Sequence, residues 1–233
     1  DGDTILVNSG KYSEDVIIDK EITLKANELD EATITGVIRI LSDNVTIENL
    51  ILEVESGGYV VELVNVNNIL VTNNIIRNNG NGYGSLVTST GPAHATGEIS
   101  NNTFKGALVV GSNGELKIID NKIETNTGSG EAIALYPATA TSKFVVENNE
   151  LILLEGKGGI KVQPLIVDTK PEGILINGLS DDLDIMLSLM TTNDILLKDV
   201  NLTWNNNVIY VVNFMFDDEL LKRELVVSGE EAT

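Results

Sequence analysis

The sequence predicts an all-β solenoid, a single-stranded parallel β-helix of about eight coils. Three observations carry this. A short strand followed by asparagine recurs about every 25 residues, a spacing typical of coil-repeat architectures. A second series of apolar triplets runs between those marks with the same period. Apolar residues make up 42% of the chain but aromatics only 4%, which favours stacked layers of Ile, Val and Leu over a core of large rings.

The first series is clearest in Val71-Thr72-Asn73-Asn74-Ile75-Ile76, Ile99-Ser100-Asn101-Asn102-Thr103-Phe104, Ile118-Ile119-Asp120-Asn121-Lys122-Ile123 and Val146-Glu147-Asn148-Asn149-Glu150-Leu151. With Asn49, Asn74, Asn102, Asn121 and Asn149 as register marks, the steps are 25, 28, 19 and 28 residues. Weaker copies are Ile22–Ala26 before these marks, and Ile174–Asn177 and Ile195–Asp199 after them. The second series has its centres at Arg39, Val61, Val87, Val109, Ala134, Lys161, Ser188 and Tyr210. Short alternating runs broken by Asn and Gly read as strands and bends. Each asparagine is expected at a bend, because Asn tolerates the left-handed conformation, and in a side-chain ladder from coil to coil.

Residues 1–162 read as regular coils, and residues 163–233 as less regular C-terminal coils and a cap of the same solenoid. Pro164 and Pro171 bracket the change. The longest loops are expected near 78–84, 91–97, 125–130 and 163–173. Asp217-Asp218-Glu219-Leu220-Leu221-Lys222-Arg223-Glu224-Leu225 has acids first and bases last, which suits a short capping helix. A final strand through Leu225-Val226-Val227 is the competing reading.

With 35 acidic and 15 basic residues the formal charge is −20, which disfavours nucleic acid and anionic membranes as partners. Cysteine is absent and His94 is the single histidine, so disulfides, thiolate metal sites and multi-His zinc sites are excluded. No apolar run approaches the roughly 18 residues of a membrane span, and no signal peptide is evident.

The opening segment Asp1-Gly2-Asp3-Thr4-Ile5-Leu6-Val7, continued by Gly10-Lys11-Tyr12 and Val16-Ile17-Ile18, resembles the first coil of right-handed parallel β-helix proteins of the pectate-lyase-like superfamily, in particular those of bacterial or archaeal cell surfaces. Lys20-Glu21-Ile22-Thr23-Leu24 and Asn44-Val45-Thr46-Ile47-Glu48-Asn49-Leu50 continue the resemblance, which is good to about residue 162 and loose beyond it. It implies a right-handed solenoid. It does not imply one activity, because the superfamily holds lyases, hydrolases, esterases and surface proteins. In such proteins a helix usually caps the end before the first coil. Here Asp1 already lies inside the coil, so a preceding segment, another protein domain or a second copy is expected to cover that end.

The family's catalytic signatures are not matched. His94 sits in Pro92-Ala93-His94-Ala95 rather than in a Gly-His-Gly, and Arg39, Arg77 and Arg223 are the only arginines. The numerous carboxylates leave a glycosidase-type pair open. In enzymes of this fold the outward column of the second series faces the substrate groove. Here that column, with Val61, Val87 and Val109 at its middle, reads as apolar and covered by a loop, a domain or another chain. Asp181, Asp182 and Asp184 are the candidate metal ligands, with Ca²⁺ as the ion their oxygens suit, and Asp217-Asp218-Glu219 is a second acidic group. Asn44-Val45-Thr46, Asn101-Asn102-Thr103 and Asn201-Leu202-Thr203 fit the N-glycosylation pattern, which also arises by chance.

The expectation is a non-catalytic, secreted or cell-surface domain with a structural, assembly or adhesion role in a surface layer, fibre or multidomain adhesin. Its partners would be protein domains or copies of itself, or a polysaccharide. The alternatives are a Ca²⁺-dependent polysaccharide lyase, another carbohydrate-active enzyme, or a glycan-binding module.

Overall fold

Short β-branched runs separated by bends cannot bury their inward side chains alone, so they fold by stacking. The computed structural model describes residues 2–29, 31–55, 58–80, 86–88, 94–112, 114–124, 132–137, 142–152, 160–162, 173–177, 202–204, 207–216 and 219–227. No helix occurs among them. The chain is a right-handed parallel β-helix whose regular coils each carry three strands, one on each of three faces.

The first coil shows the plan: Asp3–Leu6 on the first face, Gly10–Tyr12 on the second and Val16–Ile18 on the third. The first face continues through Ile22–Lys25, Thr46–Glu48, Val66–Thr72, Ala95–Ser100, Glu115–Ile119, Lys143–Glu147, Gly173–Asn177 and Leu202–Trp204, each parallel to its neighbour. The second face runs in the same way from Gly10–Tyr12 to Glu150–Ile152, a stack of seven strands. The third face falls into two sheets, one from Val16–Ile18 to Leu86–Thr88 and one from Leu108–Ser112 to Ile160–Val162.

Strict register turns each inward position into a column. Leu24, Ile47, Val71, Ile99, Ile118 and Val146 stack on the first face. Ile34, Leu52, Ile76, Phe104, Ile123 and Leu151 stack on the second. All twelve are buried. With adjacent strands about 4.8 Å apart and each buried Leu, Ile or Phe worth about 1.5–3 kcal/mol, coil-on-coil contact is the main source of stability.

The structure corrects the sequence expectation at several points. The asparagine roles are divided between two residues. Asn49, Asn73, Asn101, Asp120 and Asn148 hold the left-handed bend, with φ between 54° and 61°. The ladder belongs to the following residue in each case, Asn74, Asn102, Asn121 and Asn149, all buried. Asn49 therefore marks the bend and not the ladder. Leu50 occupies the ladder position in its coil, where its N–H donates to Asn74 Oδ1 at 3.0 Å. Asn177 lies inside a strand opposite Glu147, two residues short of a ladder position.

Val61 is also displaced by one residue. It pairs with Ile38 and is fully buried, so Glu62 takes the outward place beside Arg39. A slip of one residue exchanges inward and outward, because strand side chains alternate. Ile209–Val211 does not belong to a parallel coil. It lies in the strand Asn207–Phe216, antiparallel to Leu202–Trp204 and to Glu219–Val227. Over the described part of the expected capping helix a strand, Glu219–Val227, stands instead, in keeping with the competing reading of a final strand through Leu225-Val226-Val227. A nine-residue helix is marginal on its own, whereas antiparallel pairing from Ile209↔Val227 to Phe216↔Glu219, interrupted by a register shift between Phe214 and Met215, gives the segment a ladder.

Candidate functional site

Three exposed features carry polar or chemically active side chains in register. The first lies where the chain enters the first face. Val66 pairs with Ala95 and Ile69 with Gly97, so Asn67 and Asn68 oppose the single residue Thr96 in a β-bulge. The bulge keeps Val66 and Ile69 buried and leaves both asparagines exposed. Asn68 sits in the left-handed region at φ 56°. Gly97 is required here: with φ 141°, a Cβ would lie 2.1 Å from the Ile69 carbonyl oxygen.

Around the bulge the polar groups tie successive coils together. Asn67 donates its backbone N–H to Asp43 Oδ1 at 2.7 Å, and its Nδ2 donates to the same carboxylate at 3.3 Å. His94 Nε2 lies 2.7 Å from Asn67 Oδ1. With the amide nitrogen committed to Asp43, Asn67 Oδ1 is the acceptor, so His94 Nε2 carries the donated proton. A parallel row runs Glu21, Asn44, Asn68, Thr96. Asn44 Nδ2 donates to Glu21 Oε2, Asn68 Nδ2 donates to Asn44 Oδ1, and the Asn68 N–H donates to Thr96 Oγ1. An open groove of about 490 Å³ adjoins this row, lined in part by Asn68, Thr96, Glu98, Glu115 and Lys117.

The second feature is the outward column of the second face: Thr35, Glu53, Arg77, Lys105, Glu124 and Ile152. Its charges bridge coils. Thr35 Oγ1 donates to Glu53, Arg77 lies 4.0 Å from Glu53, and Lys105 pairs with Glu124. Lys122 reaches Glu124 at 4.0 Å and Glu150 at 3.8 Å. On the first face Lys143 donates to Glu115 at 3.0 Å.

The third feature is the column that would face a substrate groove in enzymes of this fold. By register it begins Ile17, Arg39, Glu62 and Val87, so Glu62 replaces the expected Val61 while Val87 keeps its place and Val109 pairs with Ala134 as expected. Arg39 Nε donates to Glu62 Oε2 at 2.5 Å. That hydrogen bond, and then the carboxylate charge, raise the guanidinium pKa above its ordinary value. Further along, Ala134 is buried at 3% exposure.

Among the described residues no three His, Asp or Glu side chains converge on a point that could hold a metal ion. Asp181, Asp182 and Asp184 lie outside the described residues, as do Asp217, Asp218 and Ser188. His94, read from the sequence as a loop residue, stands immediately before the strand Ala95–Ser100 and within the bulge cluster. The cluster itself was missed. Its signal was present in Val66-Asn67-Asn68-Ile69, where two polar residues separate apolar ones and break the alternation of a strand.

Ile5, which pairs with buried Leu24, is 49% exposed, and outward Ile17 is 63% exposed. A cavity of about 470 Å³ opens there among Ile5, Val7, Tyr12, Val16, Leu24 and Ile34.

Comparison with known proteins agrees with this geometry. The family described as the right handed beta helix region matches residues 6–164. A cell surface glycoprotein of Methanothermus fervidus is 37% identical over 84 residues, covering 34% of this chain and 14% of the relative. The chain thus spans about one seventh of the curated relative it matches. No solved structure matches.

Proposed function

The chain belongs to the right-handed β-helix family, and from that premise we propose that it is a non-catalytic structural module of a cell surface. One observation carries the reading. Polar side chains of the bulge and of the second face join their coil to the one above or below, as in Asp43–Asn67–His94 and Glu53–Arg77. Such an arrangement fixes coil spacing and stiffens the solenoid. A hydrolytic or lyase site would instead hold its acid and base around a common substrate atom.

Similarity to a protein named as a cell surface glycoprotein supports the location. Outward Ile17, 63% exposed on the third face, supports a role in assembly, its occupant being another protein domain or a second copy of the chain. A surface layer, a fibre and a multidomain adhesin are the settings in which such a module serves.

Labelling of intact cells with a membrane-impermeant amine reagent tests the location, since Lys11, Lys20 and Lys117 are exposed. The proposal expects labelled protein before lysis. Labelling that appears only after lysis would refute it. Release of unsaturated products from a polyuronate in the presence of Ca²⁺ would replace it with the lyase reading.

A further inference from the structure

We propose that Asn101 is an N-glycan acceptor and that its glycan is attached before its coil stacks on the neighbouring coils. The inference rests on the exported location proposed above, because it requires a glycan donor outside the cytoplasm.

Three triplets have the acceptor pattern, and the structure separates them. Asn201 lies outside the described residues. Asn44 is exposed, but its amide is engaged on both sides, donating to Glu21 and accepting from Asn68. Asn101 is exposed at a left-handed corner with φ 56°, and only its backbone N–H is engaged, donating to the Ile119 carbonyl at 3.2 Å. Thr103, the third residue of the triplet, opens the strand Thr103–Lys105 and points outward on the second face, half-buried. Asn101 and Thr103 therefore both reach the surface, and a glycan on Asn101 would displace no described hydrogen bond of its side chain.

The middle residue sets the order of events. Asn102 is 1% exposed. Its Oδ1 accepts from the Asn74 N–H and Nδ2, while its Nδ2 donates to Asn121 Oδ1 and to the Val71 carbonyl. A transferase must read the triplet as one accessible strand, which the folded corner does not offer. Transfer joins Asn101 Nδ2 to the anomeric carbon of an oligosaccharide carried on a lipid phosphate or pyrophosphate. The new N–C bond forms as the C–O bond to phosphate breaks, the amide proton passes to a base of the transferase, and the lipid phosphate leaves.

The test uses protein labelled on intact cells, recovered and mapped by mass spectrometry as wild type, N101Q, T103V and N44Q. A glycan mass on the Asn101 peptide is expected in wild type and N44Q and absent from N101Q and T103V. A bare Asn101 in surface-labelled protein would overturn the proposal and leave the surface location standing. A complete lack of surface-labelled protein would overturn both. For the order of events, folded unmodified protein and its N102A variant, which keeps the triplet but opens the ladder, are offered to membranes containing transferase and lipid-linked donor. Higher occupancy in N102A is expected, and equal occupancy would overturn that order.

Discussion

Adjacent residues at each corner answer to different physics. Asn73, Asn101 and Asn148 supply a backbone conformation, while Asn74, Asn102 and Asn149 supply hydrogen bonds to the next coil. Substitution should separate the two roles. Asn73→Gly should change stability by only a few tenths of a kcal/mol, and Asn73→Val should cost about 1–2 kcal/mol through the left-handed strain. Asn102→Ala should cost more, about 3–5 kcal/mol in denaturant unfolding, because it leaves several buried donors and acceptors unpaired. The ranking of the three variants is the check. The motif was legible in the sequence, but the division of labour was not. Asn fits both positions, and only Asp120 at one bend and Leu50 at one ladder position reveal that they differ.

At the scale of the element, the bulge and the C-terminal hairpin show where strand reasoning succeeds and where it slips. The inward columns of the first and second faces were legible because Ile, Val and Leu alternate there. On the third face Val60, Val61 and Leu63 are all buried, so the triplet could be centred on Val61 or on Glu62. Only pairing with Ile38 and Ile40 decides, and that is long-range information. Gly97→Ala should distort the bulge and lower stability by about 1–3 kcal/mol or more, since the contact is with backbone that cannot swing away. Its circular dichroism should remain that of a β-protein. For the hairpin, hydrogen exchange should show protection in Asn207–Phe216 and Glu219–Val227 following the antiparallel register. An i to i−4 helical pattern over 217–225 would contradict it.

For the whole molecule, net charge and the exposed apolar side chain of Ile17 set the behaviour. At −20 the net charge repels the coils from one another, and exposed ion pairs such as Lys143–Glu115 return only about 0–1 kcal/mol each. Moderate salt should therefore raise the melting temperature, as screening removes more repulsion than attraction. With Ile17 63% exposed and proposed as an assembly contact, Ile17→Glu should weaken concentration-dependent association in sedimentation, with the fold unchanged. The candidate site was less legible than the fold. Strand periodicity repeats many times along the chain, whereas the cluster of Asp43, Asn67 and His94 depends on one inserted residue.

Stacking of coils consumes the buried ladder side chains beside each corner, those of Asn74, Asn102, Asn121 and Asn149. Native-state hydrogen exchange of the backbone amides of Leu50, Asn74, Asn102 and Asn121, each of which donates to a ladder oxygen, tests it most directly. These amides should exchange as slowly as the strands they join, and Asn102→Ala should release the amide of Asn74 while sparing that of Asn121. Fast exchange at these amides in the wild-type protein, as for ordinary exposed turns, would contradict it.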